Sequence, residues 1–196
     1  MAKKLSEMSL EELWQLFPIT LKTHQPIWRT WYEEESALIK AILGTSVYRI
    51  NHIGSSGIKE LIAKPTIDIL LEVRQNCTFH MMLKAMHTSG YIYDTGRITP
   101  QIPMMFKKGY TEQGYGEKVF HVHVRYPGDY DELYFRDYLM KSPDTKKAYQ
   151  ELKLGLQEKY RQDRNAYTEQ KSDFIKTCTQ KARKLFPNRY VPKGER

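Results

Sequence analysis

The sequence has little cysteine and no long hydrophobic segment. Its two cysteines, Cys77 and Cys178, lie about 100 residues apart, which is not a metal-binding spacing. We therefore expect two free thiols in a reducing, cytoplasmic setting. The longest apolar runs, such as IDILLEV, are far too short to span a bilayer. The opening residues, MAKKLSEMSLEELW, contain lysines without an apolar core behind them, so we expect neither a secretory signal nor a membrane partner.

The sequence also lacks an excess of acidic residues. It has 31 Lys and Arg against 23 Asp and Glu, which gives a formal charge of +8. Such a balance attracts anions, including nucleotides, other phosphorylated molecules and nucleic acid. Much of the excess lies late in the chain, where a solvated helix face and a basic tail explain it equally well. No RNA-binding motif or Gly/Arg-rich segment accompanies the charge, so nucleic acid is the weaker of the predicted partners.

Hydrophobic periodicity predicts both strands and helices along the chain. Alternating residues predict strands at 47–53, 66–73 and 119–126. Apolar residues at helical spacing predict helices at 7–16 and 28–43. We further predict a helix at 77–90, strands within 91–96 and 103–109, and a polar hairpin connection at 111–118.

The last third of the chain predicts a C-terminal helical segment with helices at 130–141, 144–162 and 164–186. We expect residues 1–128 to form the α/β core with an N-terminal helical arm. Residues 129–196 are then helices that pack on this core within one compact unit.

Two tyrosine–lysine pairs recur in these helices. Tyr149 and Lys153, and likewise Tyr167 and Lys171, lie at i,i+4 spacing, which is more often an ordinary contact on a helix surface.

Polar residues in an otherwise regular stretch, 47–73, point to a site. GSSG at 54–57 breaks the first strand, and such a turn can offer backbone N–H groups and a hydroxyl to a phosphate. Asp68 follows in an apolar strand, where a carboxylate is costly unless it is paired or binds a metal. The candidate phosphate- or nucleotide-binding residues are Gly54, Ser55, Ser56, Lys64 and Arg136.

A divalent metal is the cofactor that this pattern suggests. Nucleotidyl transfer uses Mg²⁺ held by carboxylates, and a D-x-D pair would present two of them, but Leu70 occupies the second position. Alternation places Glu72 on the face of Asp68. His121 and His123 share a face of a later strand and could complete a site for Zn or Mn. Alternatively, His121 and His123 bind phosphate, or one of them acts as a base. A further alternative is that both histidines only lie on a half-exposed face of the sheet. The predicted catalytic residue is Asp68, and the predicted ligands for Mg, Mn or Zn are Asp68, Glu72, His121 and His123.

The run HIGSSGIKELIAKPTIDILLEV, followed by HVHV and YFRDYL, resembles the GrpB family, also called UPF0157. Its typical pattern is HIGST-x-VPG-x-x-AKP-x-IDI, then an HVH strand, then L-x-FRDYLR, and the match runs from about Trp28 to Ala182. Two departures stand out: Ile58-Lys59-Glu60 replaces VPG, and Met140 replaces the last arginine. The resemblance implies an α/β (α+β) fold, a nucleotidyltransferase-like mixed β-sheet flanked by helices. Its motif positions are His52, Gly54, Ser55, Lys64, Asp68, His121, His123, Phe135, Arg136 and Asp137.

The predicted function is the binding of a nucleotide or other phosphorylated ligand. Metal-dependent nucleotidyl transfer is one form of that hypothesis. The alternative is a non-catalytic ligand-binding or interaction module on the same fold, and the missing second carboxylate at Leu70 favours it.

Overall fold

A single mixed sheet organises the molecule, whose computed structural model describes residues 3–94 and 104–193. The strands are β1 (Val47–Ile53), β2 (Ile67–Val73), β3 (Ile92–Tyr93), β4 (Met104–Thr111) and β5 (Gly114–Arg125). Their order is β1-β2-β5-β4-β3, with β2 and β5 parallel and the other neighbours antiparallel. The predicted mixed sheet flanked by helices is confirmed.

The helices follow the predicted pattern except near the C-terminus. They are α1 (Leu10–Leu16), α2 (Ile27–Leu43), α3 (Phe79–Thr88), α4 (Asp131–Lys141), α5 (Pro143–Lys159), α6 (Arg164–Glu169) and α7 (Ser172–Leu185). The prediction of one helix over 164–186 was wrong, because a turn at Gln170 and Lys171 separates α6 from α7. Of the helices in the two described ranges, none is long and apolar enough to cross a membrane.

One face of the sheet holds the main core. Alternate residues of β2 and β5 point to this face and pack against α2 and α3, because strand side chains alternate between the two faces. The buried members of this core include Ile67, Ile69 and Leu71 of β2, Phe120, Val122 and Val124 of β5, Trp28 and Ile39 of α2, and Met82 and Met86 of α3. The intervening residues of β2 and β5, which include the predicted polar site, therefore lie on the opposite face.

The opposite face is covered in part by the C-terminal helices. Leu133 of α4 packs with Ile53 and Leu70 of the sheet. A further cluster joins Leu139 of α4 and Tyr149 of α5 to the segment between β1 and β2, through Ile58 and Leu61. The polar face is thus enclosed between the sheet and α4–α5.

Two details of the strands differ from the predictions. A β-bulge between Val47 and Arg49 breaks the alternation of β1, so Val47 and Ile50 both pack on the main core. The predicted hairpin connection at 111–118 is also mostly strand, since β4 continues to Thr111 and β5 begins at Gly114. Tyr115, the one aromatic residue of 111–118, packs against Phe17 of the N-terminal arm.

Candidate functional site

Asp68 forms the centre of a polar group on the helix-covered face. In the parallel pairing of β2 and β5, Asp68 lies opposite His121, and Leu70 lies opposite His123. His121 Nδ1 is 3.2 Å from Asp68 Oδ1, and His123 Nε2 is 3.8 Å from the same oxygen. The structure therefore brings together these three side chains from the predicted site.

Hydrogen bonds fix the protonation of this group. Burial raises the pKa of Asp68, but the hydrogen bond from His121 and the nearby His123 ring outweigh it and hold the pKa well below its usual range. An ionised carboxylate can only accept, so His121 Nδ1 carries the proton and donates to Asp68. His121 Nε2 then accepts from the Tyr110 hydroxyl at 2.7 Å. Burial also lowers the pKa of His121, which keeps the ring neutral.

Both ring nitrogens of His121 are therefore used within the protein. A histidine binds a metal through a ring nitrogen lone pair, so His121 would have to release Asp68 or Tyr110 to become a ligand. Within residues 3–94 and 104–193, no group of three or more His, Cys, Asp and Glu side chains is arranged to hold a metal ion. The predicted metal ligands are not assembled as a site in this arrangement, and a divalent cofactor stays a prediction.

Glu72 lies apart from Asp68 in a separate ion pair. Its fully buried carboxylate pairs with the Arg49 guanidinium, with Glu72 Oε1 2.8 Å from Arg49 Nη2. The same oxygen accepts from the Gly128 N–H at 3.0 Å. A buried carboxylate with these partners joins β1 and β2 to the segment before α4, so we leave Glu72 out of the candidate site.

The turn after β1 is fitted closely to Asp68. Gly54 has a φ of +68°, and a Cβ atom at this position would lie 2.5 Å from Asp68 Oδ2. Glycine is needed here both for the left-handed backbone and for the close approach. Ser55, the next residue, lies where the turn meets the C-terminal helices.

Ser56 anchors the same turn from within. Its buried hydroxyl donates to the Thr66 carbonyl at 2.7 Å, so Ser56 Oγ accepts from His52 Nε2 at 3.1 Å. Burial lowers the pKa of His52 to about 4, which keeps this ring neutral. Ser56 therefore holds the turn to the segment before β2.

A pocket of about 160 Å³ lies beside Asp68, and we call it the lysine pocket. Three lysines from separate parts of the chain meet there: Lys64 before β2, Lys153 on α5 and Lys171 before α7. Among the described residues that line it, Asp68 is the sole carboxylate. The remaining lining residues are Leu21, Gly54, Ser55, Ser56, Ala63, Thr66, Tyr149 and Tyr167.

Lys153 is the most deeply buried of the three lysines, with 2% of its surface exposed. Its ammonium donates to two neutral oxygens, Ser55 Oγ at 3.0 Å and the Ile62 carbonyl, and lies 4.8 Å from the centre of the Tyr149 ring. Burial, and then the charges of Lys171 and Lys64, lower the pKa of Lys153 to about 7. Within residues 3–94 and 104–193, no carboxylate forms an ion pair with Lys153, and burying an ammonium without such a partner is costly.

The prediction that these tyrosine–lysine pairs make ordinary contacts on a helix surface was wrong. Tyr149, Lys153 and Tyr167 are all buried. The i,i+4 spacing does place each ammonium over its tyrosine ring. It does not show which side of the helix packs on the sheet, so the sequence alone did not assign these residues to the site.

Arg136 lies outside the lysine pocket. It donates to the His52 carbonyl at 3.0 Å and to Asp137 Oδ1 at 2.9 Å, and so attaches α4 to β1. It lines a separate cavity of about 460 Å³. Of the residues predicted to bind phosphate, the lysine pocket therefore collects Gly54, Ser55, Ser56 and Lys64 but not Arg136.

The fold and this cluster define an α/β protein with a cationic pocket on the polar face of its sheet. The GrpB protein family matches residues 18–181, so the chain belongs to the GrpB family. Glutamate-rich protein GrpB of Alkalihalophilus pseudofirmus is 34% identical over 161 residues, which cover 80% of this chain and 91% of that protein. The UPF0157 protein YqkA of Bacillus subtilis is 29% identical over 188 residues, which cover 92% of this chain and 53% of YqkA.

A solved structure shares the fold. The crystal structure of conserved protein GrpB from Enterococcus faecalis aligns with a TM-score of 0.74 at 28% sequence identity. The alignment covers 85% of this chain and 99% of that chain. The sheet and its flanking helices are thus common to both proteins.

Proposed function

We propose that the protein binds a phosphorylated ligand and that a phosphate group of this ligand occupies the lysine pocket. The observation that carries the proposal is the convergence of Lys64, Lys153 and Lys171 on one small pocket. Phosphate oxygens accept short, charge-assisted hydrogen bonds from ammonium groups. Such an anion would offset the cost of the buried Lys153 charge.

The single carboxylate of the pocket does not cancel its positive charge. Asp68 is one carboxylate against three lysines, and His121 and His123 already contact it. Ser55 accepts from Lys153 and so places the ammonium at the Gly54–Ser55 turn. A phosphate in this pocket would therefore meet a net positive lining.

Calorimetric titration with glycerol phosphate and with inorganic pyrophosphate tests the proposal. Lys153→Met removes the ammonium but keeps an apolar stem, and Lys147→Met on the exposed side of the same helix is the matched control. We expect Lys153→Met to weaken binding by about tenfold or more, because a charged hydrogen bond contributes about 1.5–3 kcal/mol. Lys147→Met is expected to bind like the wild type. The absence of wild-type binding, or equal losses in both variants, would contradict the proposal.

Nucleotidyl transfer on a nucleotidyltransferase-like fold is the second candidate function. The observation in its favour is an ionised Asp68 that lines the same pocket as the three lysines. The observation against it is Leu70, which is fully buried at the position where a second carboxylate would make the site conventional.

Asp68→Asn separates the two functions. A transferase that depends on this carboxylate loses turnover of nucleoside triphosphates with Mg²⁺ or Mn²⁺, while phosphate binding in the lysine pocket persists. A binding protein shows no turnover in the wild type. Unchanged turnover in Asp68→Asn would exclude Asp68 as the catalytic residue.

A further inference from the structure

A second, larger cavity adjoins the lysine pocket. Its volume is about 730 Å³, and it shares Lys64 and Thr66 with the lysine pocket. We call it the aromatic cleft. Its apolar lining consists of Pro18, Ile27, Trp28, Trp31, Pro65, Tyr115 and Val119.

The walls of the aromatic cleft are held in place by the fold. The N-terminal arm is fixed by the Ile19 N–H, which donates to the Arg161 carbonyl at 2.9 Å, and by a β-bridge between Lys22 and Ala63. On the α2 side, Trp28 is 1% exposed, and the partly buried Trp31 packs against the main core. These contacts fix the positions of the cleft walls relative to the sheet.

We propose that the phosphorylated ligand carries a planar aromatic ring, which lies in the aromatic cleft against Trp31. The link between ring and phosphate then passes Lys64 and Thr66, which border both cavities. This inference rests on the proposed function of the lysine pocket, and it adds the chemical class of the ligand.

The linings of the two cavities suit a ligand with two chemically different ends. The lysine pocket is small and cationic, whereas the cleft is large and has two tryptophans and a tyrosine in its lining. Ligand sites of about 300–1,000 Å³ usually combine such apolar walls with a few polar groups. Gln25 and Glu117 supply polar groups that can bond to the edge of a ring. Nucleotides and simpler aryl phosphates share this chemistry.

Affinity measurements on the full chain test the inference. Glycerol phosphate is compared with phenyl phosphate and with adenosine and uridine monophosphates. We expect the aromatic phosphates to bind about 10- to 100-fold more tightly, since stacking on an aromatic side chain adds this much per ring. Tighter binding of both nucleotides than of phenyl phosphate identifies nucleotides as the ligand class, and equal binding identifies aryl phosphates in general.

Variants of Trp31 test the place of the ring. Trp31→Leu should reduce the preference for aromatic phosphates over glycerol phosphate to below about threefold. Its affinity for glycerol phosphate should stay unchanged, and this binding also shows that the variant is folded. Trp31→Phe should keep part of the preference. Trp14→Leu, on α1 and outside the cleft lining, is the control and should keep all of it.

Two failures can be told apart. If glycerol phosphate binds and Lys153→Met weakens this binding, but an aromatic ring adds nothing, the proposed function stands and the aromatic cleft is not the ring site. A preference that survives in Trp31→Leu leads to the same conclusion. If no phosphate ester binds the wild type, both proposals are overturned.

Discussion

A Cβ atom on Gly54 would lie 2.5 Å from Oδ2 of Asp68. The turn after β1 and the carboxylate of β2 are therefore in direct contact, with no room for a side chain between them. On its other side the same turn meets α5, because Ser55 accepts a hydrogen bond from Lys153. One short turn thus joins the polar face of the sheet to the C-terminal helices around the lysine pocket.

Gly54→Ala should destabilise the protein more than a glycine substitution in open space. The new methyl group would meet Asp68, and the φ of +68° would also be strained. Gly90→Ala is the matched control, because Gly90 has a φ of +81° with nothing within 4 Å of its Cβ position. We expect urea denaturation to show a loss larger by about 1–3 kcal/mol for Gly54→Ala. Equal losses of unfolding free energy in Gly54→Ala and Gly90→Ala would mean that the space between Gly54 and Asp68 can accommodate a methyl group.

Glu60→Gly should raise the midpoint of urea denaturation. Glu60 has a φ of +66°, a conformation that strains side-chain-bearing residues, and the GrpB pattern has glycine at this place. The substitution removes an ion pair with Lys146, but Glu60 is 68% exposed and such pairs contribute little. Lys146→Met separates the two effects, since it removes the ion pair and leaves the backbone strain. A lower midpoint for Glu60→Gly would contradict this account.

His52 should make the protein sensitive to mild acid. Its folded-state pKa of about 4 lies below the ordinary value of 6.5, so the unfolded chain binds the proton first as the pH falls. The stabilisation by the neutral ring is therefore present above about pH 6.5 and lost toward pH 4.

The matched variant is His52→Gln, which keeps a donor toward Ser56 but does not titrate. Between pH 7.5 and 4.5, the free energy of unfolding should fall by roughly 2 kcal/mol more in the wild type than in His52→Gln. The neutral His121 contributes to both proteins and cancels in the comparison. Parallel pH profiles would show that His52 is protonated at little cost in the folded protein.

Lys153→Met should stabilise the ligand-free protein at pH 7. A fall in the pKa of Lys153 from 10.5 to about 7 corresponds to roughly 4–5 kcal/mol of destabilisation by the buried charge. The loss of the hydrogen bonds to Ser55 and Ile62 costs about 1–3 kcal/mol. We therefore expect a net gain of roughly 2 kcal/mol in the free energy of unfolding, measured by chemical denaturation, together with weaker phosphate binding. Strong destabilisation would instead assign Lys153 a purely structural role.

The gain in stability of Lys153→Met over the wild type should decrease at higher pH. Between pH 7 and 10.5 the unfolded chain holds a proton that folded Lys153 has released, so wild-type stability rises with pH across this window. From pH 7 to pH 9, the difference between Lys153→Met and the wild type should narrow by roughly 2 kcal/mol. A difference that does not change with pH would show that Lys153 titrates normally.

The sequence predicted secondary structure correctly where the side chains alternate regularly between the two faces of a strand. The run IDILLEV in β2 alternates between a core face and the face of Asp68, and its strand was predicted correctly. The bulge in β1 was not predictable, because an extra residue changes the facing of Val47 without changing the hydrophobic pattern. The turn at Gln170 was missed for a related reason: the polar run TEQKS has no apolar residues that would define a helix face.

The candidate site was only half visible in the sequence. The Gly-Ser turn and Asp68 are close in sequence, and alternation places His121 and His123 on one face of their strand. The pairing of β5 with β2, which brings the histidines to Asp68, is not indicated by alternation. Lys153 lies on α5 and Lys171 in the turn before α7, and the placement of both depends on how the C-terminal helices pack against the sheet. Glu72 shares a face with Asp68, as alternation predicts, but the sequence did not indicate its ion pair with Arg49.

A crystal structure of the protein with a bound phosphate ester tests the central claim most directly. The account predicts the phosphate group in the lysine pocket, within hydrogen-bonding distance of Lys153 Nζ and beside Ser55. A phosphate bound only to exposed lysines elsewhere, with the lysine pocket left to water, would contradict it.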